Sequence, residues 1–312
     1  SIGIIMKIKE EKWRKFNLEI YLNNCRIMTN YNTKKKSKIH SVLQKIKYQL
    51  IKRHIYAITG PLRVLPDFII IGAMKCGTTS LYYDICEHPC IESASYDEVG
   101  YFDVNYHLGL NWYRSMFPTI IKKNKVIKKF GKFMTGEDTP FYFWNSKAIE
   151  RIHKDLPNIK LIVILRNPID RAYSEYQNGI RNGTENRIFE DVINDEIKNI
   201  KNNTLTIGSC SEINSILARG IYHIQLELWK KRFDTNQILV IQTEMFSKNT
   251  SNIMNDIFKF FDLPKYIIKK NRKSKSFIYP EMKKETRDLL SGFFNSYNEK
   301  LYKILGYRFN WK

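Results

Sequence analysis

Short runs of consecutive apolar, often β-branched residues recur along this chain, and segments with helical spacing separate them. Phe68-Ile-Ile-Ile71, Lys160-Leu-Ile-Val-Ile-Leu165 and Gln237-Ile-Leu-Val-Ile241 are continuous rather than alternating. That pattern suits parallel strands covered on both faces. Between and after them the spacing predicts helices over residues 79–86 (closed by His88-Pro89), 168–178, 222–232, 251–261 and 281–305. Residues 182–211 are polar and rich in Asn and Lys, and read as a helix followed by a mobile loop. The alternation predicts an α/β fold: a single domain with a central parallel sheet flanked by helices and a P-loop-like phosphate-binding turn. No internal repeat is visible.

The 312 residues, 43% hydrophobic and 27% charged, are ordinary for a globular protein with a sizeable core. Charge is unusual: 52 Lys and Arg against 31 Asp and Glu give +21. Such a field attracts anions of any kind, although abundant Lys, Ile, Asn and Tyr also fit an AT-rich genome. Residues 1–60 hold 14 Lys and Arg against Glu10, Glu11 and Glu19, which is +11 of the total. We read residues 1–60 as a basic extension, able to touch an anionic surface, and 61–312 as the folded domain, with Gly60-Pro61 as the break. No apolar run reaches the roughly 18 residues of a membrane span. No signal peptide follows Ser1, where Lys7 and Lys9 interrupt the apolar start. A cytoplasmic location is the expectation, unless the chain is a fragment. Five cysteines (Cys25, Cys76, Cys86, Cys90, Cys210) lack metal-ligand spacing, so no metal site is expected.

The chemistry is concentrated after the first strand, in Gly72-Ala-Met-Lys-Cys-Gly-Thr-Thr-Ser80. A strand, a Gly-bounded turn and a helix point backbone N–H groups and a helix dipole at one anion. Gly72 and Gly77 are spaced as in a P-loop, but Thr78 and Thr79 follow Gly77 where Lys-[Ser/Thr] would hold a nucleotide's metal. The lysine sits inside the turn, at Lys75. This argues against an ordinary Mg-dependent nucleoside kinase, which stays as an alternative. The second strand ends in Arg166-Asn-Pro-Ile-Asp-Arg-Ala-Tyr-Ser174. Arg166 leaves at the C-terminal edge, where open α/β sheets bind ligands. Its planar fork suits a phosphate, and Ser174 adds a hydroxyl.

Together these segments resemble the PAPS-dependent sulfotransferases, which use 3′-phosphoadenosine 5′-phosphosulfate and release PAP. The resemblance runs from about Pro66 to Trp311, closing on Gly306-Tyr-Arg-Phe-Asn-Trp311. It implies that Lys75, Cys76, Gly77, Thr78, Thr79 and Ser80 bind the 5′-phosphosulfate, with Lys75 also catalytic at the bridging oxygen. It implies that Arg166 and Ser174 bind the 3′-phosphate. Arg219-Gly-Ile-Tyr222 is similar to a segment near the nucleotide, which suggests Tyr222 and, less directly, Arg219. A loop over the donor phosphates corresponds to Lys273-Ser-Lys-Ser276, where the family's Gly is missing and Lys275 stands in; Arg272 and Lys273 read as solvated.

Ser95-Tyr-Asp-Glu-Val-Gly-Tyr-Phe-Asp103 is similar to the glucosaminyl sulfotransferases of heparan sulfate and their bacterial relatives, and aligns Glu98 with their general base. His107 is the competing base. Glu137-Asp-Thr-Pro140 matches their Glu-Lys-Thr-Pro, with Asp138 in place of lysine. A carboxylate cannot stabilise developing negative charge, so this departure points away from a heparan-type acceptor, toward another glycan or a small alcohol or amine. The resemblance therefore implies sulfuryl transfer to a hydroxyl or amine of a carbohydrate or small molecule. No nucleic-acid motif is present.

Overall fold

The computed structural model describes residues 55–202, 215–268 and 279–311. They fall into two compact units. In the smaller, a 3₁₀ segment, Ile55–Leu62, lies against a short helix at Leu110–Arg114. Gly60 is required there, because a Cβ would come within 2.5 Å of the Asn111 carbonyl oxygen.

The larger unit is built on a five-stranded parallel sheet in the order β2-β3-β1-β4-β5. The strands are β1 (Phe68–Gly72), β2 (Ile91–Ser93), β3 (Met134–Asp138), β4 (Lys160–Leu165) and β5 (Ile238–Gln242). Phe68 to Ile71 and Leu161 to Leu165 are fully buried, as their continuous apolar character requires. In chain order across both units the helices are α1 (Thr78–Ile85), α2 (Leu110–Arg114), α3 (Ile120–Phe130), α4 (Ser146–Asp155), α5 (Pro168–Asn182), α6 (Phe189–Lys201), α7 (Tyr222–Lys230), α8 (Thr243–Lys248), α9 (Thr250–Phe260) and α10 (Lys284–Leu305).

The expected fold class holds. The three expected strands are present within a residue, but two central-to-edge strands, β2 and β3, escape the sequence pattern. Met134-Thr-Gly-Glu-Asp138 is mostly polar yet wholly buried, so hydrophobic periodicity gives no signal for it. Helix α5 extends beyond the expected end to Asn182, where Gly183 (φ 71°) caps it. Its start combines Pro168 in the first turn with Asn167, whose side chain accepts from the Ile169 N–H at 3.0 Å. One face of α5 packs with α6 and α10 through Ile169, Ala172, Phe189, Ile193, Leu290 and Phe294. Of the polar stretch 182–211, the described part is helical in α6; residues 203–214 lie outside the described residues, as does most of the basic extension.

Candidate active site

The turn from β1 into α1 has the backbone that an anion site needs. Gly72 is fixed by close packing, since a Cβ would meet Phe143 Cβ at 2.4 Å. Lys75 takes a left-handed conformation (φ 67°), and Gly77 does too (φ 94°), with open space where its side chain would be. Gly77 is the N-cap of α1 and supplies no side-chain cap, so the first-turn amides of Thr78, Thr79 and Ser80 have no intrahelical acceptor. A helix end of this kind favours negative charge.

The second segment is bound to the first. Arg166 Nη1 donates to the Lys75 carbonyl at 3.5 Å, and the Thr243 hydroxyl donates to the Cys76 carbonyl at 2.7 Å. The buried Tyr222 hydroxyl donates to the Arg166 carbonyl at 2.9 Å and lies 3.8 Å from Cys76 Sγ. Lys75, Cys76, Gly77, Thr78, Arg166 and Tyr222 thus form one neighbourhood at the C-terminal edge of β1 and β4. Tyr222 acts on the backbone that carries Arg166. Cys76 is buried, and burial pushes its thiol up to about 11, so it is an inert neutral group here. Ser174 is half-buried on α5, eight residues after Arg166. Lys275, Arg272 and Lys273 lie outside the described residues.

Glu98 stands across the edge from Lys75. It too is left-handed (φ 51°), and its N–H donates to the Asp138 carbonyl at the end of β3, 3.0 Å away. Burial raises its carboxyl to about 7; Asp103 and Asp97 add to the rise, while Lys75 opposes it. The Tyr83 hydroxyl donates to Asp97 at 2.5 Å and pins the loop before it. The residues after Glu98 are held by a chain of contacts from Glu137. Thr139 Oγ1 donates to Glu137 at 2.7 Å and accepts from the Gly100 N–H, while Tyr142 donates to Glu137 and accepts from the Phe102 N–H. Of the Glu137-Asp-Thr-Pro segment, Glu137 and Thr139 therefore shape the loop. His107, the competing base, is exposed in the smaller unit.

Asp138 is fully buried, and neither carboxylate oxygen has a hydrogen-bond partner among the described residues. Burial, then the charges of Glu98, Asp97 and Glu137, hold its pKa well above the carboxylate range. Burial therefore favours the protonated form of the carboxyl that sits where the resemblance has a lysine.

Sequence reasoning missed a second layer. Glu175, one residue past Ser174, accepts from both Arg171 and Arg219 at 2.5 Å. Its burial opposes ionisation, but Arg219 and Arg171 overcome that and hold its pKa below the usual carboxylate range. Arg219 also contacts Met74 in the anion turn, at 3.5 Å, and lies over the Phe141 ring. Burial lowers the Lys75 pKa, and Glu175 is the charge that counters this. The i,i+4 spacing of Arg171 and Glu175 was the available signal. Glu244 was missed as well: it accepts from the Asn167 N–H (2.8 Å) and from Trp311 Nε1 (3.0 Å), joining the β4–α5 turn to the C-terminal tail.

A parallel sheet carrying this turn and this strand-end arginine has the architecture of a P-loop-like fold. The sulfotransferase domain family matches residues 65–296, and the chain belongs to that family. It is a transferase of the sulfotransferase type, a family that uses PAPS as donor. Membrane-associated sulfotransferase kil1 of Dictyostelium discoideum is 27% identical over 82% of this chain and 68% of its own length. Bifunctional heparan sulfate N-deacetylase/N-sulfotransferase 4 of Mus musculus is 29% identical over 77% of this chain, which spans only 30% of that enzyme. A crystal structure of a sulfotransferase from Alicyclobacillus acidocaldarius superposes with a TM-score of 0.60 at 23% identity, covering 79% of this chain and 98% of the other. These findings correct the cytoplasmic expectation. A similar protein is membrane-associated by name, and the lack of a spanning helix among the described residues does not define a compartment.

Proposed function

We propose that the protein transfers a sulfuryl group from PAPS to a hydroxyl or amine of a carbohydrate, with Glu98 as general base and Lys75 at the leaving oxygen. In this reading the amides of Gly77, Thr78, Thr79 and Ser80 take the 5′-phosphate, and Arg166 with Ser174 takes the 3′-phosphate. The acceptor O–H or N–H bond breaks and its proton passes to Glu98. The acceptor atom bonds to sulfur as the S–O bond to the 5′-phosphate breaks. The electron pair goes to the phosphate oxygen, where the Lys75 ammonium stabilises charge that develops only at that stage. Tyr222 and Thr243 hold the turn and the Arg166 backbone, so that both ends of the donor meet fixed groups.

The observation that supports this most directly is that Lys75 and Glu98, both half-buried at one sheet edge, are close enough for the lysine charge to oppose the rise of the Glu98 pKa to about 7. A base poised near pH 7 is suited to take a proton from a sugar hydroxyl. The carbohydrate acceptor draws on the similarity to the heparan sulfate enzymes. A small alcohol or amine is the second reading, favoured by the buried Asp138 in place of a cation. The experiment is transfer of labelled sulfate from PAPS to a panel of glycans, small alcohols and amines. Label in the glycans supports the first reading, and label only in small molecules supports the second. No label in any acceptor, with PAPS bound, removes both.

A further inference from the structure

Helix α3, Ile120–Phe130, has the sequence Ile-Ile-Lys-Lys-Asn-Lys-Val-Ile-Lys-Lys-Phe. Five lysines and no acid are an unpromising helix, yet both ends are capped. Thr119 Oγ1 accepts from the Lys122 N–H at 3.2 Å, and Gly131 closes the C-terminus at φ 81°. Lys128 and Lys129 in the last turn are favourable to the dipole. Only Val126 is buried. Ile120, Ile121, Ile127 and Phe130 are left 43%, 69%, 38% and 39% exposed. A helix that needed only to be soluble would place polar residues at those positions. Its neighbouring acids are largely engaged: Glu92 pairs with Lys122 at 3.0 Å, Asp262 pairs with Lys132 at 2.7 Å, and Asp67 accepts from the Thr135 N–H.

Both ends of α3 are tied to the edge where the strands begin. Thr119 bridges to Arg63, upstream of β1, and the Phe130 carbonyl accepts from Cys90 Sγ just before β2. Lys75, Glu98 and Arg166 lie at the opposite edge of the same sheet.

We propose that α3 is a docking surface for an anionic phospholipid bilayer, its lysines meeting the headgroups and its isoleucines and Phe130 entering the boundary with the acyl chains. Lysines interleaved with exposed aliphatic and aromatic side chains are the composition of an interfacial helix. A sulfated or carboxylated polysaccharide would use the lysines but has no need of Ile120, Ile121, Ile127 and Phe130. Docking by this edge leaves the nucleotide and acceptor groups facing away from the bilayer, open to soluble substrate.

The test is co-sedimentation of the full chain with phosphatidylcholine vesicles, with and without phosphatidylserine, alongside retention on immobilised heparin. Wild type should pellet with the anionic vesicles, and added salt should weaken this. Ile121→Ser with Ile127→Ser should cut vesicle binding by about tenfold or more while leaving heparin retention unchanged. Lys125→Glu with Lys128→Glu should reduce both. These exposed substitutions should leave circular dichroism and sulfuryl transfer to a small acceptor as in wild type. Unchanged vesicle binding in both variants would assign the lipid contact to residues 1–60 and overturn the proposal. Loss of heparin retention without loss of vesicle binding would also overturn it, in favour of a polysaccharide surface.

Discussion

Glu98 and Asp138 meet through the backbone: the Glu98 N–H donates to the Asp138 carbonyl at 3.0 Å, while the Asp138 carboxyl is buried without a hydrogen-bond partner among the described residues. The strand end that places Glu98 thus carries a second acid in the same low-dielectric region. Glu98 is the group poised near neutrality, and burial with the neighbouring acids raises the pKa of Asp138 as well.

If Glu98 is the base, only its ionised form is active. The kcat/KM for sulfuryl transfer should rise with pH and level off above an apparent pKa of about 7. Glu98→Gln should lower kcat by about 10²–10⁴-fold with PAP affinity unchanged. Steady-state rates against pH, with calorimetry for PAP, check both.

The same shifts make a stability statement. Glu98 and Asp138 have folded-state pKa values above their unfolded ones, so the folded protein holds more protons. Their contribution is fully present below the unfolded carboxyl pKa and is lost as pH rises through the folded values, at up to about 1.4 kcal/mol per pH unit for each group. Asp138→Asn, neutral at every pH, should flatten this decline and raise Tm above neutral pH relative to wild type. Thermal melts from pH 5 to about 9 would show it; an Asn variant that tracks wild type throughout would exclude a raised Asp138 pKa.

How much of this was legible beforehand depended on the kind of signal. Lys75, Gly77 and Arg166 announce themselves because a turn and a strand end require particular residues at fixed offsets. The strands β1, β4 and β5 do so because continuous apolar runs have few other uses. Strand β3 did not, since its buried residues are mostly Thr, Gly, Glu and Asp, and Thr135 and Glu137 are held by partners elsewhere in the sheet and loop. Glu175 and Glu244 were hidden for a related reason. Their role arises from residues far away in sequence, Arg219 and Trp311, which only the folded chain brings near.

Glu175→Gln should be among the most destabilising single changes at the site. It removes the charge shared by Arg171 and Arg219, two buried guanidinium groups, at a cost of about 3–5 kcal/mol. Denaturant melts measure that loss. Glu175→Asp should recover part of it.

Gly77→Ala separates backbone demand from space. Its φ of 94° disfavours any side chain by roughly 1–2 kcal/mol, although nothing stands within 4 Å of the new Cβ. The variant should fold with a modestly lower Tm and bind PAP more weakly, because the strain falls on the turn that presents the amides. A Gly72→Ala variant, whose Cβ meets Phe143, should instead lose folded protein outright.

Calorimetric titration of PAP into wild type, Lys75→Ala and Arg166→Ala tests the two-pocket account most directly. The account predicts saturable one-to-one binding by wild type, weakened at least about tenfold by either substitution, since each removes a charge-assisted contact to a different phosphate. A folded wild-type protein that does not bind PAP, or variants that bind it as tightly as wild type, would contradict it.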